Sequence, residues 1–141
     1  MPTPTPPQYS VTDLGTLGGT YSYATGVNHL GQVTGYSQVA PSPSPGFIDH
    51  GFVWTPTSQN GTDGTMSDLD GTFPYNNRAY GINGSGEVTG YWIDPISAKL
   101  RAFIYMPGST SGVGGGPICD IDPAFQNLFH QYPTMDRLVK L

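Results

Sequence analysis

Sliding the chain along itself by 55 residues lays Asp13-Leu14 on Asp68-Leu69, Ala24 on Ala79 and Gly26-Val27-Asn28 on Gly81-Ile82-Asn83. The same offset lays Gly31-Gln32-Val33-Thr34-Gly35-Tyr36 on Gly86-Glu87-Val88-Thr89-Gly90-Tyr91. Farther along the offset becomes 51, and Gly51-Phe52-Val53-Trp54 meets Ala102-Phe103-Ile104-Tyr105, with Pro56 on Pro107. A third copy exists for one segment only, where Val11-Thr12-Asp13-Leu14, Met66-Ser67-Asp68-Leu69 and Ile118-Cys119-Asp120-Ile121 align. Such a chain must be built from equivalent supersecondary units that bury their apolar sides against one another. The units fall at about 9–69 and 70–122, together a β-repeat domain over 9–122. A Pro-rich arm at 1–8 precedes it and a tail at 123–141 follows.

Each unit reads as about four antiparallel strands. Ala-x-Gly-(Val/Ile)-Asn is a short strand of small residues, and the Asn-x-x-Gly after it is a tight turn. Gln32 to Tyr36 and Glu87 to Trp92 form the returning strand. Phe52-Val53-Trp54 and Ala102 to Tyr105 form a third, largely buried one. The segment ending in Asp-(Leu/Ile) is the fourth. The stretches 39–50, rich in Pro and Ser, and 106–117, rich in Gly and Ser, read as insertion loops. Four antiparallel strands rich in β-branched and aromatic residues describe a propeller blade, so the expected fold is all-β with two propeller-blade-like modules. An extra N-terminal strand and one short C-terminal helix complete the expectation. The helix rests on Asp122-Pro123 as cap and first turn, on Phe125, Leu128, Phe129 and Tyr132 at helical spacing, and on Pro133 as a stop. Met135 to Leu141 reads as an extended terminal strand.

Three strings carry a resemblance: Asp13-Leu14-Gly15-Thr16-Leu17-Gly18-Gly19, Gly26-Val27-Asn28-x-x-Gly31-Gln32-Val33-x-Gly35-Tyr36, and His50-Gly51-Phe52-Val53-Trp54. Together they resemble the HAF family of extracellular repeats over about residues 9–122. The resemblance implies a secreted or surface-exposed β-repeat protein. The second unit departs from the first string, carrying Asp70-Gly71-Thr72-Phe73-Pro74 in its place.

Composition narrows the function. The 141 residues include 20 Gly and 14 Pro, only 11% are charged, and the net charge is -5. No Lys or Arg precedes Arg78. A phosphate backbone needs clustered positive charge, so nucleic acid is not an expected partner. No apolar run is long enough for a transmembrane helix, and the first residues lack the basic and apolar regions of a signal peptide. The single Cys119 takes the slot held by Thr12 and Ser67, which asks for a small side chain rather than a nucleophile. His29, His50 and His130 have no partner at ligand spacing. No Gly-x-Ser-x-Gly elbow, P-loop or dinucleotide fingerprint occurs, so no catalytic residue and no enzyme activity is expected.

The recurring polar residues read as structural. Asp13, Asp68 and Asp120 suit strand-end carboxylates accepting bonds from turn amides. Asn28 and Asn83 suit turn-capping amides. Asp68-Leu69-Asp70-Gly71 has a calcium flavour but lacks the further oxygens of a calcium loop, so no cofactor or metal is assigned. Asn60-Gly61-Thr62 and Asn83-Gly84-Ser85 have the form of glycosylation acceptors. Nine Tyr and two Trp invite a sugar-binding reading. Tyr21, Tyr23, Tyr75 and Tyr80 are the freer candidates for an exposed surface, because Tyr36, Tyr91, Trp54 and Tyr105 recur as core residues would.

Two blades cannot close a ring, and open sheets expose unpaired backbone groups. The sequence therefore leads to a non-enzymatic extracellular or cell-surface structural protein whose partner is itself. Its assembly strand would be Tyr9, Val11 and Leu14, donated head to tail to the next copy to give a fibre or pilus-like filament. The alternative is a lectin-like module that binds surface glycans as a closed oligomeric propeller.

Overall fold

The computed structural model describes residues 5–40, 48–69 and 76–108, and the backbone of 118–120. Within these, the chain forms β1 (Gly18–Val27), β2 (Val33–Val39), β3 (Asp49–Pro56), β4 (Gly64–Asp68), β5 (Asn77–Ile82), β6 (Val88–Ile93), β7 (Leu100–Tyr105) and β8 (Ile118–Asp120). The named strands pair antiparallel in sequential order: β1-β2-β3-β4 make one sheet, and β5-β6-β7 make the second, with the three-residue β8 along its edge. No helix occurs among the described residues. The helix and terminal strand expected in the tail lie outside them.

The repeat becomes a shared register. Gly35 faces Phe52 as Gly90 faces Phe103, and Phe52 faces Asp68 as Phe103 faces Asp120. The glycines are required by close approach: a Cβ at Gly35 would run into the Tyr23 carbonyl, and at Gly90 into the Arg78 carbonyl and the Phe103 ring. Both first strands also slip register at an equivalent place, between Ala24 and Gly26 and between Ala79 and Gly81, and β1 slips once more between Gly18 and Ser22. The extra residue of each bulge, Thr25 or Tyr80, is thereby re-aimed.

Side chains alternate across each strand, so one face of the first sheet carries Thr34, Tyr36, Asp49, Gly51 and Val53. The second sheet lays β5 across this face. Val53, Leu69, Ala79 and Val88 form the shared buried cluster, with Ile82 and Tyr105 packed against it. Phe52, Trp92 and Phe103 are buried to 1% exposure or less.

Two expectations are corrected. The first strand was expected at Ala24 to Asn28 but starts at Gly18, because its N-terminal half pairs with the far end of β2 through Gly18 and Val39. The loop expected over 39–50 ends early: Asp49 and His50 already belong to β3, opposite Gln38 and Ser37. Residues 9–14, expected to pair with another copy, make no strand pairing within this chain, where β3 and β7 carry β4 and β8 along their edges.

The β6–β7 connection holds a buried carboxylate. Asp94 accepts hydrogen bonds from the Ile96 amide at 2.9 Å, the Ser97 hydroxyl at 2.6 Å and Arg101 Nε at 3.1 Å. Burial works against its charge, but these bonds outweigh it and hold the carboxyl below its ordinary range. A depressed folded value means that its stabilisation is complete above the unfolded value of about 3.9 and is lost as pH falls through the folded one. Stability should therefore be flat near neutral pH and decline below about pH 4. Asp94→Asn should remove part of that decline, measured as urea midpoints from pH 7 to 2; an identical pH profile in the variant would show that Asp94 is not its source.

Candidate functional site

The most built-up polar arrangement lies at the seam between the sheets. Asp49, 3% exposed, accepts Tyr21 Oη at 2.6 Å on one oxygen. Its other oxygen accepts Arg78 Nη2 at 2.6 Å and Nε at 3.0 Å. The guanidinium also lies 4.5 Å from the centre of the Tyr36 ring. The backbone is stitched beside this pair: the Asp49 amide donates to Asn76 Oδ1 at 2.6 Å and the Gly51 amide to Asn77 Oδ1 at 2.7 Å. On the bulge, the Thr25 hydroxyl donates to the Ala79 carbonyl at 2.9 Å.

The electrostatics follow the geometry. Tyr21 donates to a carboxylate, and this bond, reinforced by burial and the carboxylate charge, raises its phenol above the ordinary value. Burial works against the charge of Arg78, but the bond to Asp49 and its opposite charge outweigh that and hold the guanidinium protonated.

An aromatic row crosses the same seam. Tyr21 meets Tyr23 edge-on at 5.8 Å, Tyr23 stacks on Tyr36 at 5.1 Å, Tyr36 lies 6.4 Å from Tyr80, and Tyr80 stacks on Tyr91 at 5.8 Å. Sugar recognition needs ring faces open to solvent, whereas these faces are turned largely on one another and on Arg78. Tyr23 and Tyr80 remain 55% and 47% exposed. Tyr21, grouped with them from sequence, is half-buried and hydrogen-bonded; Tyr75 lies outside the described residues.

The recurring turn residues behave as equivalents. Asn28 Oδ1 accepts the amides of Leu30 and Gln32, both at 3.0 Å, and Asn83 Oδ1 accepts those of Ser85 at 2.9 Å and Glu87 at 3.0 Å. Asn28 also reaches across the seam, donating from Nδ2 to the Asn83 carbonyl at 2.9 Å. Asp13 Oδ1 accepts the Gly15 amide at 3.0 Å. Asp68 instead lies 2.9 Å from His50 Nδ1, and Asp120 sits in β8 opposite Phe103. Among the described residues, no group of three His, Cys, Asp or Glu is placed to hold a metal ion, and no helix is long and apolar enough to cross a membrane.

The three assembly-strand residues stand apart from the seam. Tyr9 and Val11 are 88% and 98% exposed, and Leu14 is half-buried. Their repeat counterparts are integrated: Met66 pairs with Trp54, and Leu69 is 4% exposed in the inter-sheet cluster, its amide donating to the Gly51 carbonyl.

Sequence reasoning missed the Asp49–Arg78 pair. The available signal was a departure from the repeat, since Arg78 replaces Tyr23 and Leu100 replaces Asp49 in the aligned copies. Fold and site together define an antiparallel β protein whose two sheets are joined by the Asp49–Arg78 pair and its neighbours. No family model, curated protein or solved structure matches the chain.

Proposed function

We propose that this is a non-enzymatic extracellular structural protein of HAF-repeat type that self-associates head to tail by donating residues 9–14. Its modules act as propeller-like blades in an open array, and its only required partner is another copy of itself. The observation that carries this reading is the exposure of Tyr9 and Val11 in a segment whose two repeat copies both lie along a β3-type strand.

The register of those copies specifies the contact. Met66-Ser67-Asp68 lies opposite Trp54-Val53-Phe52, and Ile118-Cys119-Asp120 opposite Tyr105-Ile104-Phe103. A donated Val11-Thr12-Asp13 would take the same place on β7 of a neighbour, in exchange with β8. Strand addition of this kind supplies backbone hydrogen bonds for affinity and side-chain alternation for specificity.

Electron microscopy of the full chain and of a variant lacking residues 1–12 tests this. Fibres are expected from the first and none from the second. Fibres from the truncated chain would remove strand donation, and discrete rings from the full chain would favour the lectin-like closed assembly instead.

A further inference from the structure

We propose that a second copy of this chain seats its β1 on the face of the second sheet formed by Leu100, Ala102 and Ile104, repeating between chains the packing that joins the two sheets within one chain. This rests on self-association but uses a contact separate from strand donation.

Within the chain, β5 lies over the first sheet's face at Asp49, Gly51 and Val53. Arg78 reaches Asp49, and Ala79 lies over Gly51 and in the cluster with Val53. The offset of 51 carries Asp49, Gly51 and Val53 onto Leu100, Ala102 and Ile104, on the corresponding face of the second sheet. Those three are not covered alike. Asp49, Gly51 and Val53 are buried, whereas Leu100 is 65% exposed, Ala102 is exposed and Ile104 half-buried. The second sheet thus presents a docking face whose equivalent is occupied in the first.

The offset of 55 carries the occupying strand onto β1, with Arg78 on Tyr23, Ala79 on Ala24 and Ile82 on Val27. Ala79 is 0% exposed, but Ala24 is exposed, Tyr23 is 55% exposed and Val27 68%. Both halves of a second seam are therefore largely exposed among the described residues.

The substitutions between the halves are matched. The Asp49–Arg78 ion pair becomes Leu100 against Tyr23, two apolar groups that gain by leaving water together. Where Gly51 leaves room for the Asn77 side chain, Ala102 adds a methyl group and the counterpart of Asn77 is the shorter Ser22. An interface with one half on each end of the molecule is heterologous, and copies joined by it extend head to tail. A second copy is the occupant the repeat specifies, since among the described residues the strand seated on this kind of face is β5, the repeat equivalent of β1.

The ion pair itself supplies the test. Leu100→Asp and Tyr23→Arg, each at an exposed position, should each weaken association at least ten-fold in sedimentation velocity of the full chain, with circular dichroism unchanged. The double variant should recover association, because it rebuilds between chains the Asp–Arg pair found within one. Ala24→Lys, which leaves the tyrosine row untouched, should also weaken association. Single variants that associate like the parent chain, or a double variant no better than the singles, would overturn the proposal. Removing residues 1–12 separates the two contacts: association abolished by truncation but indifferent to Leu100→Asp leaves donation alone standing, and the reverse leaves this face alone standing.

Discussion

Phe103→Ala is expected to lower the unfolding free energy by about 3–5 kcal/mol, the range for emptying a large aromatic site in a packed interior. The ring is 0% exposed and lies over Gly90, where the absence of a side chain makes its place. Gly90 is held by β5 and β6 backbone on one side, with the Arg78 carbonyl close above, so the strands cannot collapse inward to fill the void. A small domain is stable by only about 5–15 kcal/mol, so the variant should be unfolded at far lower urea. Phe52→Ala, at the equivalent place opposite Gly35, should behave alike. A loss below about 1 kcal/mol at Phe103 would mean that the ring is not the packed centre of its sheet.

The second large effect is expected at the seam, and it is asymmetric. Arg78→Ala leaves the Asp49 carboxylate, whose side chain is 4% exposed, without its cation. Stranding a buried charge costs about 3–5 kcal/mol, and partial screening on the arginine side places this case at the lower end. Asp49→Ala should cost less, because Arg78, 39% exposed, can turn its guanidinium to water. The double variant should therefore lose less than the sum of the two. Urea unfolding of the four proteins measures the coupling, and strict additivity would show that the pair does not act as a unit. An independent readout is the phenol of Tyr21. With Asp49 replaced by alanine it should titrate closer to about 10 in ultraviolet absorbance, since its elevation comes first from the bond to that carboxylate.

Much of each sheet was legible in the residues. The recurrence of Gly35-Tyr36 and Gly90-Tyr91, and of Phe52 and Phe103, foretold paired strands, and the two modules do share their register. Asn28 and Asn83 were read as turn-capping amides, and each accepts two turn amides. These signals were visible because a contact made within a module is made twice, so the residues that make it recur. Strand limits were less legible. Asp49 stood in a stretch whose Pro and Ser content reads as loop, and only its pairing with Gln38 and its bonds to Arg78 place it in β3.

What the amino-acid order determined by itself was thus the all-β character and the division into two like units, since both follow from local alternation and from residues that recur at a constant offset. What only the tertiary structure decided was which face meets which. Asp49 and Arg78 are 29 residues apart, and their repeat equivalents are Leu100 and Tyr23. A contact made once, between positions where the copies differ, leaves no period to read; it exists only when one sheet is laid across the other.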